Sequence, residues 1–428
     1  MSFRFKGITF ALVSAALTGT MSIGPTVATA SVPGTAAAAA SSRSAAPSAA
    51  LSVARRLAGH EVCPIAPAGQ ARCLSSSAPL PRAGATSGGS AGVGSAAVAA
   101  PKFGLRPADI RKAYQLSTTG GKGQTIAIVD AYDDPKAESD LKVYRATWKL
   151  PACTTANKCF RKVNQRGGSK PPEGDPDWSQ EISLDVQAVS AACPKCKILL
   201  VEGDEPSADS LGAAVNTAVR LGANVVSNSY GSTEFTGIAA LGKKYYTHPG
   251  VPIIASSGDT GFQDTEFPAD LPTTWAIGGT LLKPTKAGGW TEDAAYFGSS
   301  GCSAWFAKPS YQKDKHCPMR TVADISAVAD SADGFAVYDS YGLGADNGWI
   351  GMWGTSLSAP LVAAMIGLAG NSTVVAKPSY AYSHRTGLKD VVGGSNAVDD
   401  CGGDYLCNAL KGYDAPTGLG SPRGLKSL

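Results

Sequence analysis

The sequence predicts an α/β fold in which a parallel sheet is doubly wound, with helices on both faces. Near-continuous apolar strands such as Lys197–Gly203 (KILLVEG) point to a sheet buried on both sides. They alternate with helical segments, as crossover connections between parallel strands require. Gln124–Tyr132 (QTIAIVDAY) reads as the first buried strand, and Asp134-Pro135 offers an N-cap and first-turn proline for a helix reaching about Trp148. Ser179–Cys193 reads as a helix, Lys197–Gly203 as a strand and Ser207–Leu221 as a helix. Asn224–Gly231 (NVVSNSYG) and Val251–Asp259 (VPIIASSGD) are further strands, separated by a helix around Gly237–Thr247. Sites in such sheets form at the carboxyl ends of the strands. Those ends present Asp130, Glu202, Ser229 with Tyr230, and Asp259.

The chain has 428 residues, of which 17% are charged and 43% apolar, so wholesale disorder is excluded. A net charge of +4 over this length gives no dense basic field for nucleic acid. The basicity sits at the start. Residues 1–30 carry Arg4 and Lys6 without an acid, and 31–101 carry five Arg against Glu61. Residues 102–428 keep 31 bases against 33 acids. The basic start, the short apolar run Ile8–Leu17 and Ala28-Thr29-Ala30 read as a signal peptide over 1–30, not a membrane span. Residues 31–101, rich in Ala, Ser and Gly and able to bury little surface, read as a pro-segment or linker before a domain over 102–428. The ten cysteines fall as five close neighbours, 63/73, 153/159, 193/196, 302/317 and 401/407. Behind a signal peptide they read as local disulfides of a secreted protein. Cys193–Cys196 also has redox or zinc spacing, without a second Cys or His pair at finger spacing.

Gly354-Thr355-Ser356-Leu357-Ser358-Ala359-Pro360 precedes an apolar helix over Leu361–Gly370. Helix N-termini stabilise developing negative charge, which suits a nucleophilic serine. Such a serine needs a base. The four histidines, His60, His248, His316 and His384, all stand in segment, turn or loop contexts away from strand ends. Glu181 and Asp185, by contrast, place two like charges at i and i+4 on one helix face.

The seven-residue serine string resembles the nucleophile motif shared by subtilisins and sedolisins, and the His-Gly-Thr-His context of subtilisins is missing. Glu181-x-x-x-Asp185, Ser257-Gly258-Asp259 and the Ser356 string, in order within about 104–422, resemble the sedolisin or serine-carboxyl peptidase family. The resemblance implies a subtilisin-like fold and a secreted endopeptidase or tripeptidyl exopeptidase, made as a zymogen, monomeric, acting on proteins or peptides. It implies Glu181 as general base, Asp185 as its proton-sharing partner, a neutral Asp259 as oxyanion donor and an acid-shifted optimum. Tyr230 stands where the family usually has Trp on the substrate side. Asp130 either hydrogen-bonds the acidic pair or caps the turn at Asp134. The family's C-terminal calcium loop matches Asp390, Val391, Leu410, Gly412 and Asp414, an all-oxygen set for one Ca²⁺, with Leu410 where a Gly is expected. A non-catalytic peptide- or polymer-binding protein on the same scaffold is the alternative.

Overall fold

Three short strands, β1 (His60–Glu61), β2 (Arg72–Cys73) and β3 (Ser76–Pro79), open the described part of the chain. The structure, a computed structural model, describes residues 59–80, 99–263, 265–341, 348–397, 401 and 403–428. The expected signal peptide and most of 31–101 lie outside these residues.

The central sheet is built from β4 (Thr125–Ala131), β5 (Phe160–Asn164), β6 (Lys197–Gly203), β7 (Val225–Asn228), β9 (Ile253–Ser256), β11 (Trp275–Pro284), β12 (Trp290–Ala294) and β15 (Ile325–Asp330). Its order is β12-β11-β9-β7-β4-β6-β5, with β15 also paired to β11. All its pairings are parallel except β11 with β12. Burial on both sides explains why β4, β6, β7 and β9 read as unbroken apolar runs instead of alternating ones.

Helices cover both faces. α1 (Pro107–Ala113) and α2 (Ala137–Thr147) pack against α3 (Pro176–Ala192), which packs on α6 (Thr355–Ala369). α4 (Ala208–Arg220) covers β4 and β6 and meets α5 (Ile238–Tyr245). Asp175 caps α3, its Oδ1 accepting from the N–H groups of Asp177 at 3.0 Å and Trp178 at 2.9 Å, with Pro176 in the first turn. Ser207 caps α4 in the same way through the Ser210 N–H.

Four local expectations change. α2 starts at Ala137, because Asp134 Oδ1 is engaged one turn earlier by the Lys136 N–H at 2.7 Å. The predicted strand over 224–231 breaks at Ser229. Its second half is β8 (Tyr230–Thr233), which leaves the central sheet to pair with β2 and with β10 (Glu266–Phe267). The helix after the serine string begins at Thr355, so Ser356 lies inside its first turn. Finally, residues 59–80 do bury surface. Val62, Cys63, Cys73, Leu74 and Ala78 are buried, and β3 joins a sheet with β17 (Gly348–Trp353). What the composition lacked in large apolar residues is supplied by backbone pairing and by the Cys63–Cys73 bridge. All five cysteine pairs are disulfides between the expected neighbours.

Candidate active site

Two buried helices meet at the carboxyl ends of β4, β7 and β9, and that meeting forms the site. α3 brings Glu181 and Asp185, α6 brings Ser356, β4 carries Asp130 next to its last residue, the β7–β8 break supplies Ser229, and the turn after β9 supplies Asp259. All of these side chains except Asp259 are fully buried by exposure, and the Asp259 carboxyl is enclosed as well.

The Ser356 hydroxyl donates to the Ser229 carbonyl at 3.2 Å and lies near enough to the Glu181 carboxyl to lower its pKa, while Glu181 Oε1 is buried without a hydrogen-bond partner. The Ser229 hydroxyl contacts Asp185 Oδ1 at 2.9 Å and the Ser356 carbonyl at 3.3 Å. That carbonyl needs an outside donor because Pro360, four residues on, has no N–H to complete the helix bond. One hydroxyl proton serves one acceptor, so a protonated Asp185 completes the chain by donating to Ser229.

Burial is the first cause of the raised pKa of Glu181 and of Asp185, and the nearby Asp130 carboxyl is the second for both. Asp130 itself is pushed up to about 8 by burial. Both Asp130 carboxyl oxygens are buried without a hydrogen-bond partner, so Asp130 neither bonds the acidic pair nor caps the turn at Asp134 and acts on the pair through charge alone. The titrations of the three carboxyls are linked. Asp259 Oδ1 accepts from both the N–H and the hydroxyl of Thr355, each at 2.8 Å. Burial pushes its carboxyl up to about 7, although the Thr355 hydrogen bonds and Arg72 pull the other way. Below that pH Oδ2 carries a proton it can donate.

Tyr230 is placed differently from a substrate-facing wall. Its ring is buried, its hydroxyl donates to Asn228 Oδ1 at 2.8 Å and lies 3.1 Å from the Tyr246 hydroxyl, and its backbone pairs with Cys73. Glu202 sits apart from the serine, near Lys162 and Asp133. The histidines stay outside the cluster. His248 bonds the Tyr245 carbonyl, His316 bonds Asp404 and His384 stacks on Tyr380. His60 is exposed and lines a cavity with Ser75 and Asp259. Sequence reasoning missed Ser229 as a connector, Thr355 as the anchor of Asp259, and the Leu74–Ser75 stretch, which crosses the site. The serines carried no motif of their own, and residues 74–75 stood in a low-complexity segment.

In the C-terminal loop, Asp390 Oδ2 accepts from the Gly412 N–H at 2.9 Å and Asp414 Oδ2 from the Leu410 N–H at 3.1 Å. Burial raises Asp414 to about 7, and Asp390 adds to that rise. Gly412 adopts a φ of 97°, which its lack of a Cβ permits. Asp414 Oδ1 also accepts from the N–H and hydroxyl of Thr417, so the two carboxyls are oxygen donors of the kind a hard cation takes but are engaged by protein donors here. Among the described residues no group of three or more His, Cys, Asp or Glu is arranged to hold a metal.

Residues 174–380 match the Subtilase family. The fold and the site thus define a subtilisin-like serine-peptidase scaffold with carboxyl groups, not imidazole, around its serine. The chain is 30% identical over 364 residues to kumamolisin from Bacillus sp. (strain MN-32), covering 75% of this chain and 62% of that protein. It is 25% identical over 368 residues to sedolisin from Pseudomonas sp. (strain 101), covering 74% and 60%. The solved structure of Pseudomonas sedolisin, a serine-carboxyl proteinase complexed with two molecules of pseudo-iodotyrostatin, superposes with a TM-score of 0.64 at 24% identity, over 75% of this chain and 95% of that one. The chain belongs to the sedolisin family, and it spans less than two thirds of the length of these two curated relatives.

Proposed function

We propose that this chain is a secreted serine-carboxyl endopeptidase that works through an acyl-enzyme on Ser356. The reading rests on one observation: Ser356 lies beside a buried carboxyl, Glu181, while His248, His316 and His384 bond or stack elsewhere and His60 reaches only the neighbouring cavity with Ser75 and Asp259. Glu181 takes the Ser356 proton as the hydroxyl attacks a peptide carbonyl, then returns it to the leaving amine. Asp185 and Asp130 set how many protons the cluster holds. The oxyanion is held by the Ser356 N–H and by protonated Asp259, whose Oδ1 is anchored by Thr355. Ionisation of Asp259 above about pH 7 removes that donor, so activity is confined to the acid side.

The similarity to kumamolisin and sedolisin supports protein or peptide substrates and secretion. Among the described residues no helix is long and apolar enough to cross a membrane. One Ca²⁺ bound by the carboxylates of Asp390 and Asp414 and the carbonyls of Val391, Leu410 and Gly412 would tie the C-terminal loop to the domain. Residues 1–30 act as signal peptide and 31–101 as pro-segment of a monomeric zymogen.

The test is digestion of unfolded casein across pH 3–8 by the wild type, Ser356→Ala and Glu181→Gln. Loss of cleavage in both variants with an acid optimum is expected. Equal behaviour of wild type and Ser356→Ala favours the binding protein, and full activity in Glu181→Gln removes the carboxylate base.

A further inference from the structure

Residues 72–79 run through the site as an extended strand that is paired on both sides of the serine. On the N-terminal side, Arg72 and Cys73 pair antiparallel with Gly231 and Tyr230 of β8. On the C-terminal side, Ser76 to Pro79 pair antiparallel with Trp353 to Ile350 of β17, the strand that leads into Gly354-Thr355-Ser356. Between the two pairings lie Leu74 and Ser75. The Leu74 N–H donates to Ser356 Oγ at 3.1 Å, and the Leu74 carbonyl accepts from the Ser356 N–H at 3.1 Å. The same carbonyl oxygen and Asp259 Oδ2 both crowd the place a Cβ on Gly354 would take, at 2.2 and 2.6 Å. The Ser75 hydroxyl donates to Glu181 Oε2 at 2.5 Å. The Leu74 side chain is fully buried yet lies outside the main apolar cluster.

Each group that chemistry requires is therefore set against one bond. The Ser356 N–H holds the Leu74 carbonyl while its Oγ touches the N–H of the same residue, the oxyanion donor stands beside that carbonyl, and the base touches the residue that would leave. We propose that residues 72–79 occupy the cleft as an internal substrate, that Leu74–Ser75 is the bond Ser356 cuts, and that the cleft is that of an endopeptidase preferring Leu before the cleaved bond. The proposal rests on the peptidase reading above.

The endopeptidase part follows from where the strand comes from. A tripeptidyl exopeptidase needs a free amino group three residues before the cleaved bond, which here would be at Arg72. Instead the chain continues. The Ala71 N–H donates to the Pro206 carbonyl at 2.7 Å, Gln70 bridges to Ser207, and Arg72 lies 3.7 Å from both Glu61 and Glu266. The cleft thus accommodates polypeptide on both sides. The Cys63–Cys73 bridge closes a loop immediately before Leu74, which limits the segment's freedom to leave.

The step balances without an outside oxidant or reductant. Ser356 Oγ bonds the Leu74 carbonyl carbon as its proton passes to Glu181. The Leu74–Ser75 C–N bond breaks, and Ser75 leaves as an amine with that proton. Water then cleaves the Leu74–Ser356 ester, returning a proton to Oγ and leaving a Leu74 carboxylate. The chain from Ser75 onward keeps its pairing with β17, while the described residues 59–74 are then held to it by non-covalent contacts alone.

The experiment follows the full chain at pH 4 by intact mass and N-terminal sequencing, with unfolded casein and an N-acetylated casein-derived peptide as separate substrates. The wild type is expected to gain an N-terminus at Ser75 and to cut the blocked peptide internally. Ser356→Ala is expected to stay joined, and Ser75→Pro to stay uncut at this bond. Casein digestion with the 74–75 bond intact, or a first cut elsewhere in 59–101, overturns the assignment while sparing the peptidase reading. Release of tripeptides only, with the blocked peptide untouched, overturns the endopeptidase part. If neither casein nor the 74–75 bond is cut, the peptidase reading fails as well.

Discussion

Thr355 donates both its N–H and its hydroxyl to one oxygen of Asp259, each at 2.8 Å, so the residue before Ser356 orients the proposed oxyanion donor. With Oδ1 saturated, the proton on Asp259 sits on Oδ2, the oxygen beside the Leu74 carbonyl. Hydrogen bonds to a carboxylate favour its charged form, so those from Thr355 lower the Asp259 pKa while burial holds it near 7. Thr355→Val removes the hydroxyl donor only. We expect the alkaline limb of kcat/KM to move up by about one pH unit or less, with kcat falling several-fold. An unchanged limb in a pH–rate profile would mean that Asp259 does not set it.

Asp259→Ala removes the donor altogether and should cost about 10²–10³ in kcat. Asp259→Asn keeps a donor that does not titrate. Its activity should persist above pH 7, where that of the wild type declines. Steady-state rates from pH 5 to 9 separate the two.

Asp130 raises both Glu181 and Asp185 when it is charged, and burial holds its own proton up to about pH 8. Asp130→Asn keeps the size and removes a charge that appears only above that pH, so Glu181 and Asp185 should ionise at lower pH in the alkaline range alone. Below pH 7 the profile of kcat/KM should match the wild type. A profile displaced below pH 7 would show that Asp130 is charged there.

Stability should fall as pH rises from about 4 to 8. Asp130 and Asp134 hold their protons up to about 8 in the folded chain and Asp259 up to about 7. The unfolded chain releases the same protons near 4. Across that window the folded state binds more protons, so each step up in pH favours unfolding. Thermal melts of Ser356→Ala, which is spared self-digestion, should give a higher Tm at pH 4.5 than at pH 7.5. The reverse order would contradict the buried protonated carboxyls.

A cation at Asp390 and Asp414 must displace the proton that Asp414 holds up to about 7. Chelation should lower Tm by several degrees at pH 7 and by less at pH 5. Asp414→Asn should abolish the difference. Identical melts with and without chelator in the wild type would exclude a resident ion.

The sheet and its helices were legible because burial on both faces leaves an unmistakable apolar signature in β4, β6, β7 and β9. Glu181 and Asp185 drew attention as like charges at i, i+4 and Ser356 as a serine at a helix start, but it was the resemblance to the family's motifs that joined them with Asp259 into one proposed site. Ser229 and Thr355 were not, since a serine or threonine at an element end carries the same local meaning whether it caps a helix or bridges a site.

The sequence alone determined the α/β architecture and pointed to the five neighbouring cysteine pairs, because both depend on residue type and spacing along the chain. Only the tertiary structure decided that Asp130 is buried without a hydrogen bond to the acidic pair or the turn, that Tyr230 turns its ring inward, and that Leu74 and Ser75 lie across Ser356. Contacts between residues hundreds of positions apart depend on how the sheet and helices close in space. Backbone pairing, which holds the 72–79 strand, is open to nearly any side chain and so leaves almost no trace in composition.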